Sequence, residues 1–221
     1  MTTNLRMPDL STELALPPGD QQFSAGYHAP FIMHALSLDR KRTTAIEVGA
    51  HVGIVTRWLV LNYPAVYAFE PNGPNRECFE RNIQNTNVFL YPYAVADRAG
   101  TGYSLPSPNP KNTGGATVRW DPPGEPVRIM TVDELGVSEC SLIKIDVQGI
   151  AALDVLKGAE HTMRKHLPVV WCEGKAGGPE EAFLTDTLGG TLFVRSRDDM
   201  IVLLAGDRRF GFRSVAVTRS P

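Results

Sequence analysis

A short apolar run that ends in a glycine turn constrains this chain more than any other feature. The letters IEVGAHVG place Gly49 and Gly53 where the chain can turn sharply and a ligand can approach bare backbone. A helix that opens near Val52 would aim unpaired N–H groups at an anionic group. A second apolar run, 65–69, leads to Glu70, whose carboxylate can accept both hydroxyls of a ribose. Glu70 follows Gly49 at about the 20-residue spacing expected of such an acid, so the pair predicts half of a nucleoside-binding pocket.

The spacing of the glycines separates two classes of nucleoside cofactor. Dinucleotide folds expect G-x-G-x-x-G, in which the middle glycine makes room for a pyrophosphate. Here His51 occupies that position, which removes space for a diphosphate but leaves room for the methionine carboxylate of S-adenosylmethionine. Glu47, just before the turn, suits a cationic amine or sulfonium and repels phosphate. The pattern favours S-adenosylmethionine over a dinucleotide, with a tight strand-to-helix turn that binds no ligand as the alternative.

Short apolar runs alternate with helical patterns after residue 43, which is typical of a parallel sheet covered on both faces. We predict an α/β fold with helices at 52–62, 74–84, 151–165 and 179–187 and strands at 44–48, 65–69, 88–91, 141–146 and 168–173. Two further strands, 191–195 and 200–204, are joined by a polar turn and predict a terminal antiparallel hairpin. A helix is also predicted at 22–38, where apolar residues recur every three or four positions.

The same pattern divides the chain into three parts. We predict an N-terminal extension at 1–43, which is a candidate lid or substrate-side element. An α/β domain follows at 44–206, and a basic, solvated C-terminal tail at 207–221. Within the domain, 99–125 is rich in Gly, Pro, Asn and Ser, which predicts a surface excursion with short strands. We expect this excursion and residues 1–40 to shape the acceptor pocket.

A second strand with polar residues supplies the candidate catalytic groups. In the run 141–149, alternation places Lys144 and Asp146 on one side, with Asp146 at the carboxyl end, where ligands of open α/β sheets gather. Glu173 ends the neighbouring predicted strand. As carboxylates at this edge, Asp146 first and Glu173 second are our candidates for a proton acceptor. Lys144 is a third candidate catalytic residue, with a buried ion pair to Glu47 or Glu173 as its structural alternative.

Six motifs, in their order and spacing, resemble one enzyme family. They are EVGAHVG, AFEP, TVDEL, IKIDVQG, VLKGA and CEGK, and the match runs from about 44 to 204. Together they resemble the FkbM family of S-adenosylmethionine-dependent methyltransferases. The resemblance implies a Rossmann-like methyltransferase sheet, mostly parallel, that closes with an antiparallel hairpin. It also implies O-methylation of a hydroxyl on a small molecule or sugar, without identifying the acceptor.

The resemblance also implies roles for individual residues, with 94–97 lying along the adenine. It assigns nine residues to the cofactor: Glu47, Gly49, Ala50, Gly53, Glu70, Pro71, Ala94, Asp97 and Asp146. Gln148 departs from the family, which usually has a glutamate at this position. If that glutamate binds a metal or takes a proton in relatives, its role here is lost or passes to Asp146 or Glu173. The sequence assigns no metal ligands and leaves a divalent metal open.

Two other functions stand as alternatives. A ribose 2′-O-methyltransferase acting on RNA would draw a Lys-Asp-Lys-Glu set from the basic residues at 40–42, Asp146, a lysine within 157–175 and Glu173. The formal net charge of −2 argues against it, because the chain lacks the global basic footprint of a nucleic-acid-binding protein. The second alternative is a noncatalytic cofactor-binding module that has lost its acids, as Gln148 suggests.

The cysteines and the apolar runs bear on the cellular compartment. Cys78, Cys140 and Cys172 are far apart and lack metal-ligand spacing, which favours reduced, buried thiols in a cytoplasmic protein. The N-terminal letters do not form a signal peptide, and no apolar run reaches the roughly 18 residues of a membrane span. We therefore predict no membrane partner and leave the oligomeric state open.

Overall fold

The computed structural model describes residues 5–24, 26–196 and 198–204. In these ranges the strands are β1 Thr44–Val48, β2 Ala65–Phe69, β3 Val88–Tyr91, β4 Ala94–Val95, β5 Gly100–Leu105, β6 Thr117–Arg119, β7 Glu125–Met130, β8 Leu142–Ile145, β9 Val169–Glu173, β10 Thr191–Arg195 and β11 Asp199–Leu203. The α-helices are α1 Ala29–Leu38, α2 Thr56–Asn62, α3 Gly73–Asn82, α4 Ala152–Lys157, α5 Glu160–His166 and α6 Pro179–Ala182. The predicted basic tail, 207–221, lies outside the described residues.

Seven of these strands form one sheet in the order β10-β11-β9-β8-β1-β2-β3. β9, β8, β1, β2 and β3 run parallel, whereas β11 pairs antiparallel with both β9 and β10. The central strands are apolar at nearly every position because both faces of the sheet are covered, and β8 is buried along its whole length. The predicted α/β fold, mostly parallel with a C-terminal antiparallel hairpin, is confirmed.

The register of the parallel strands brings four chain segments to one edge of the sheet. Val48 pairs with Phe69 on one side and Ile145 on the other, and Ile145 in turn pairs with Cys172. The residues that follow these four share that edge: Gly49, Glu70, Asp146 and Glu173. The chain order reverses at β1, which lies between β2 and β8. Open α/β sheets bind ligands at such a switch point.

A second, four-stranded sheet, in the order β4-β7-β5-β6, contains the short strands predicted within 99–125 as β5 and β6. Its strands are short and rich in glycine, threonine and proline, so their apolar pattern is weak. The sheet nevertheless packs into the main core through Val118, Ile129 and Met130. The backbone N–H of Val118 also donates to the carbonyl of Gln148 at 3.1 Å. This sheet therefore stands against the segment that follows β8.

The helix predicted at 22–38 is shorter in the structure and begins at Ala29. His28 has a left-handed backbone with φ of 59°, which interrupts helical geometry, and Pro30 fits the first helical turn. The aromatic residues Phe23 and Tyr27, which extend the helical periodicity in the sequence, lie outside the helix. They line the cavity described below instead.

The other predicted helices differ mainly at their ends. The helix predicted at 151–165 is two helices, α4 and α5, with an irregular junction at 158–159. The helix predicted at 52–62 begins later, as α2, because the glycine turn precedes it. The helices predicted at 74–84 and 179–187 are present as α3 and as α6 followed by a π-helix.

The cysteines and helices of the described ranges agree with two further expectations. Cys78, Cys140 and Cys172 are buried and form no disulfide. Burial raises the pKa of the Cys140 thiol to about 12, so that this thiol stays protonated. In the part of the chain that the structure describes, no helix is both long enough and apolar enough to cross a membrane.

Candidate active site

A cavity of about 490 Å³ opens where β1, β2, β8 and β9 end. The segments after these strands form one wall of the cavity, and the N-terminal segment and the second sheet form the other. Nine of the predicted site residues line it: Glu47, Gly49, Ala50, Glu70, Pro71, Ala94, Lys144, Asp146 and Glu173. The sheet register explains this convergence, because each segment leaves its strand at the same edge.

The turn after β1 brings two backbone segments into very close contact. Gly49 has a φ of +81°, and a Cβ at this position would lie 1.8 Å from the carbonyl oxygen of Asp146. The backbone N–H groups of Gly49 and Ala50 both donate to the carbonyl of Phe69, at 3.0 and 2.9 Å. Because a side chain would separate the first and eighth strands at their ends, only glycine fits this turn.

Two backbone hydrogen bonds hold the carboxylate of Glu70 in place. The N–H of His51 donates to Oε2 at 2.8 Å, and the N–H of Asn72 donates to Oε1 at 2.9 Å. Burial raises the pKa of Glu70, although these bonds to the charged form oppose the rise. A carboxylate has about four acceptor positions, so further positions remain for a pair of hydroxyl donors.

A buried charge cluster lies beneath the glycine turn. The Lys144 ammonium donates to the carbonyl of Gly49 at 2.8 Å and lies 3.4 Å from Asp146 Oδ2 and 3.8 Å from Glu47 Oε1. Burial alone would lower the pKa of Lys144, but the two carboxylates raise it above its usual value. Of the two predicted structural partners, the ion pair therefore forms with Glu47 and not with Glu173. Lys144 holds the turn and its neighbouring acids in place.

The two acids of this cluster respond differently to burial. Burial raises the pKa of Glu47 to about 7, although Lys144 and a 2.6 Å bond from the Thr56 hydroxyl oppose the rise. Burial also works to raise the pKa of Asp146, but Lys144 outweighs it and holds that pKa below its usual value. Asp146 is therefore ionised at neutral pH and is a weak proton acceptor.

Glu173 lies in a more acidic part of the cavity. It pairs across the sheet with Asp199 in the antiparallel register of β9 and β11, and Gln148 donates to its Oε2 at 3.2 Å. The Trp171 indole N–H in turn donates to Asp199 Oδ1 at 3.0 Å. Burial, together with the negative charges of Asp146 and Asp199, raises the pKa of Glu173 to about 7. A carboxyl group with this pKa can exchange a proton near neutral pH.

Two residues assigned to the cofactor do not line the cavity. Gly53 has a φ of +88°, and a Cβ there would lie 2.8 Å from Ile83 Cγ1, so this glycine permits the packing of α3. Asp97 faces the surface and pairs with Arg98 at 3.2 Å. The chain turns away from the cavity at each of these positions, and the cofactor roles of Gly53 and Asp97 stay predictions.

Sequence reasoning missed several residues that line the cavity. Phe23, Tyr27 and His28 come from the N-terminal segment, and residues 114–118 come from the turn and strand at the start of β6. His51, which stands in place of the middle glycine, also lines it, and burial lowers the pKa of its imidazole to about 4. No spacing rule connects these segments to the strand ends, so only their broad regions, 1–40 and 99–125, were predicted.

The structure gives no support for a metal. Among the residues it describes, no group of three or more His, Cys, Asp and Glu side chains is arranged to hold a metal ion. Asp146 is instead neutralised by Lys144, and Glu173 accepts a bond from Gln148. The donor set that a divalent cation prefers is therefore not assembled here.

Three solved methyltransferase structures are similar to this chain. A crystal structure of the methyltransferase FkbM from Methylobacillus flagellatus KT is similar at 14% identity and a TM-score of 0.52, over 72% of this chain and 43% of that one. The chain thus spans less than half the length of that protein. A precorrin-6y C5,15-methyltransferase from Geobacter metallireducens GS-15 is similar at 12% identity and a TM-score of 0.47, over 86% of this chain and 91% of that one. An rRNA methylase from Streptococcus thermophilus is similar at 10% identity and a TM-score of 0.46, over 79% of this chain and 92% of that one.

At these identities the solved structures show similarity of fold alone. Among curated proteins, none matches this chain by sequence. The family is shown by a different comparison, in which the model of the methyltransferase FkbM domain matches residues 47–214, about three quarters of the chain. The chain belongs to the FkbM methyltransferase family.

Proposed function

We propose that this protein transfers a methyl group from S-adenosylmethionine to a hydroxyl of a small molecule or sugar. The observation that carries the proposal is the Glu70 carboxylate, held by two backbone N–H groups in a cavity beside the glycine turn of an FkbM-family domain. A carboxylate held in this way accepts hydrogen bonds from the two hydroxyls of a ribose without reorganising. Preorganised acceptors of this kind lower the free-energy cost of binding a nucleoside.

The residues present fit this cofactor. The cavity volume of about 490 Å³ lies within the roughly 300–1,000 Å³ of small-molecule sites. Glu47 lines the cavity and has one buried oxygen, Oε1, without a hydrogen-bond partner. A buried acceptor of this kind is costly unless a donor reaches it, and the ammonium of the methionine part is such a donor. His51 in place of the middle glycine fits a cofactor that carries no diphosphate.

Glu173 is the better candidate for the proton acceptor. When bound, the cofactor supplies a methyl group that the acceptor oxygen takes as the carbon–sulfur bond breaks. The hydroxyl proton must then pass to a base whose pKa lies near the working pH. Glu173, with a pKa of about 7, meets this condition, whereas Lys144 keeps the pKa of Asp146 low. We therefore assign proton transfer to Glu173 and orientation of the reactants to Asp146.

The charges in the cavity favour a neutral or cationic acceptor over RNA. In the described part of the chain, Lys144 is the only lysine or arginine that lines the cavity, against six carboxylates. Lys41 bonds to the carbonyl of His166, and Lys157 pairs with Asp154, both outside the cavity. A polyanion would meet repulsion at this wall, because phosphate recognition depends on Lys and Arg.

The nucleoside assignment is tested by calorimetry with S-adenosylhomocysteine. We expect the wild-type protein to bind it and NAD to produce no heat. The Glu70→Gln variant is expected to bind it about tenfold more weakly, because the amide replaces one charged acceptor and cannot accept from two backbone N–H groups and a diol at once. Glu77→Gln, an exposed glutamate on α3, is the matched control and should bind like the wild type. Strong binding of NAD, or a Glu70→Gln variant with unchanged affinity, would contradict the assignment.

The acceptor class is tested by transfer of a labelled methyl group. We expect label to enter a hydroxyl-bearing small molecule or sugar from a broad panel, and none to enter total RNA. Labelling of RNA, with affinity that falls steeply as salt rises, would instead support the ribose 2′-O-methyltransferase. Tight donor binding without turnover on any acceptor would support a noncatalytic binding module.

A further inference from the structure

Two segments outside the main sheet meet over the glycine turn after β1. The first is residues 17–24, and the second is the 3₁₀ turn Thr113–Gly115, which precedes β6. The N–H of Gln21 donates to the carbonyl of Lys111 at 3.0 Å, and the N–H of Thr113 donates to Asp20 Oδ2 at 2.8 Å. We call these two segments together the roof.

A chain of side-chain hydrogen bonds fastens the roof to the turn. The Thr113 hydroxyl lies 2.5 Å from Asp20 Oδ2 and 2.8 Å from His51 Nε2. A carboxylate only accepts, so the single hydroxyl proton goes to Asp20, and His51 Nε2 must donate to the Thr113 oxygen. Because His51 is also the residue whose backbone N–H holds Glu70, the chain links the roof to the proposed ribose site.

Aromatic packing also holds the roof against the glycine turn. The Phe23 ring centroid lies 4.5 Å from that of His51. A Cβ on Gly114 would lie only 2.7 Å from Phe23 Cζ, so the two segments touch closely. Phe23, His51 and Gly114 all line the cavity, which places this packing directly on its wall.

The N-terminal chain before the roof is held separately. Asn82 on α3 exchanges two hydrogen bonds with the backbone of Ala15, at 2.8 and 2.9 Å, and Asn62 on α2 does the same with Arg6. Residues 5–15 are thus attached to the body of the domain without the roof.

The groups proposed to bind the nucleoside are buried beneath this arrangement. Glu70 is 6% exposed and Glu47 is fully buried, so a nucleoside held by these two groups would be shielded from solvent on their side of the cavity. We propose that the Asp20–Thr113–His51 chain is a latch that holds the roof over the bound donor and sets the rate at which S-adenosylhomocysteine leaves. The inference rests on the proposed function, because it takes the ligand from it.

Two variants open the latch in different ways. Asp20→Ala breaks the bond between the two segments of the roof and leaves the Thr113 hydroxyl unoriented, and Thr113→Val removes the hydroxyl that joins the roof to His51 while nearly keeping the side-chain shape. We expect each to release S-adenosylhomocysteine about tenfold faster than the wild type in a stopped-flow displacement experiment, because each loses a charge-assisted hydrogen bond. Thr113→Ser keeps the hydroxyl and is expected to release at close to the wild-type rate. Asp9→Ala, an acid of the same N-terminal segment that bonds to Ser11, is the matched control and should leave the rate unchanged.

The outcomes separate the latch from the proposed function. If the wild type binds S-adenosylhomocysteine and both Asp20→Ala and Thr113→Val release it at the wild-type rate, the latch is wrong and the proposed function stands. If the wild type does not bind it, the proposed function fails and the latch fails with it. Should Asp20→Ala not fold, the comparison of Thr113→Val with Thr113→Ser decides, since both replace the same half-buried side chain of the 3₁₀ turn.

Discussion

Replacement of Glu173 by glutamine is expected to lower kcat by about 10²- to 10⁴-fold, the usual contribution of a general base. Glutamine has nearly the same shape and can still accept a hydrogen bond from Gln148, which reaches Glu173 at 3.2 Å. It cannot take the proton that the acceptor hydroxyl loses. Affinity for S-adenosylhomocysteine should remain close to that of the wild type, because the loss falls on proton transfer. Glu125→Gln, at an exposed position on β7, is the matched control.

The pH dependence of kcat/KM gives an independent readout of the same residue. Burial and the charges of Asp146 and Asp199 raise the pKa of Glu173 to about 7. A base works in its deprotonated form, so kcat/KM of the wild type should rise with pH up to about 7 and then level off. Asp199→Asn removes one of the neighbouring negative charges, which lowers the pKa of Glu173 and moves this rise to lower pH. A Glu173→Gln variant that keeps wild-type kcat and the same pH profile would refute the assignment.

Replacement of Lys144 by methionine is expected to lower the free energy of unfolding by about 3–5 kcal/mol. The ammonium is buried, lies within 3.8 Å of both Glu47 and Asp146, and donates to the carbonyl of Gly49. Methionine fills the space but leaves the fully buried carboxylate of Glu47 without its counter-charge. Urea unfolding, compared at equal m-values, measures the effect. Lys157→Met, which breaks an exposed ion pair with Asp154, should change stability by less than about 1 kcal/mol.

The loss of unfolding free energy in the Lys144→Met variant, relative to the wild type, should grow as pH rises. Without Lys144, the folded-state pKa of Glu47 rises above the value of about 7 that it has in its presence. The folded state then binds a proton that the unfolded state has lost, so stability falls as pH rises from the unfolded pKa toward the folded one. The double variant Lys144→Met with Glu47→Gln should recover part of the loss. An equal deficit at pH 5 and pH 8, with no recovery in the double variant, would contradict the buried ion pair.

The main sheet could be predicted from the sequence because each of its strands is a local signal. The runs that form β1, β2 and β8 are short, apolar and bounded by turn residues, so their register and shared edge follow from fold class. The second sheet could not be predicted in the same way. Its longest strands, β5 and β7, contain glycine, proline and exposed polar residues, and they form through pairing with each other. Such pairing leaves little pattern in either strand alone.

The residues of the candidate site also fall into those that local sequence patterns predict and those that only the tertiary structure brings to the site. Glu70 and Asp146 were found because each stands at the end of a predicted strand, beside the turn of Gly49. Phe23, which lines the cavity, and Thr113, which bonds to His51, were not predicted, because their positions depend on segments outside the main sheet. Gly53 and Asp97 match the motifs of the family, but both lie away from the cavity. A sequence motif does not contain that spatial information.

By itself, the sequence determined the α/β class, the glycine turn and the presence of an acid at the ends of β2, β8 and β9, because these depend on local periodicity and on strand ends that share one edge. The tertiary structure decided which charges meet. Lys144 packs against Asp146 and Glu47, whereas Glu173 lies beside Asp199. A pKa depends on burial and on neighbours that distant parts of the chain supply, and residue spacing encodes neither. That is why Asp146 keeps a lowered pKa while burial raises the pKa of Glu47 and Glu173 to about 7 in the same cavity.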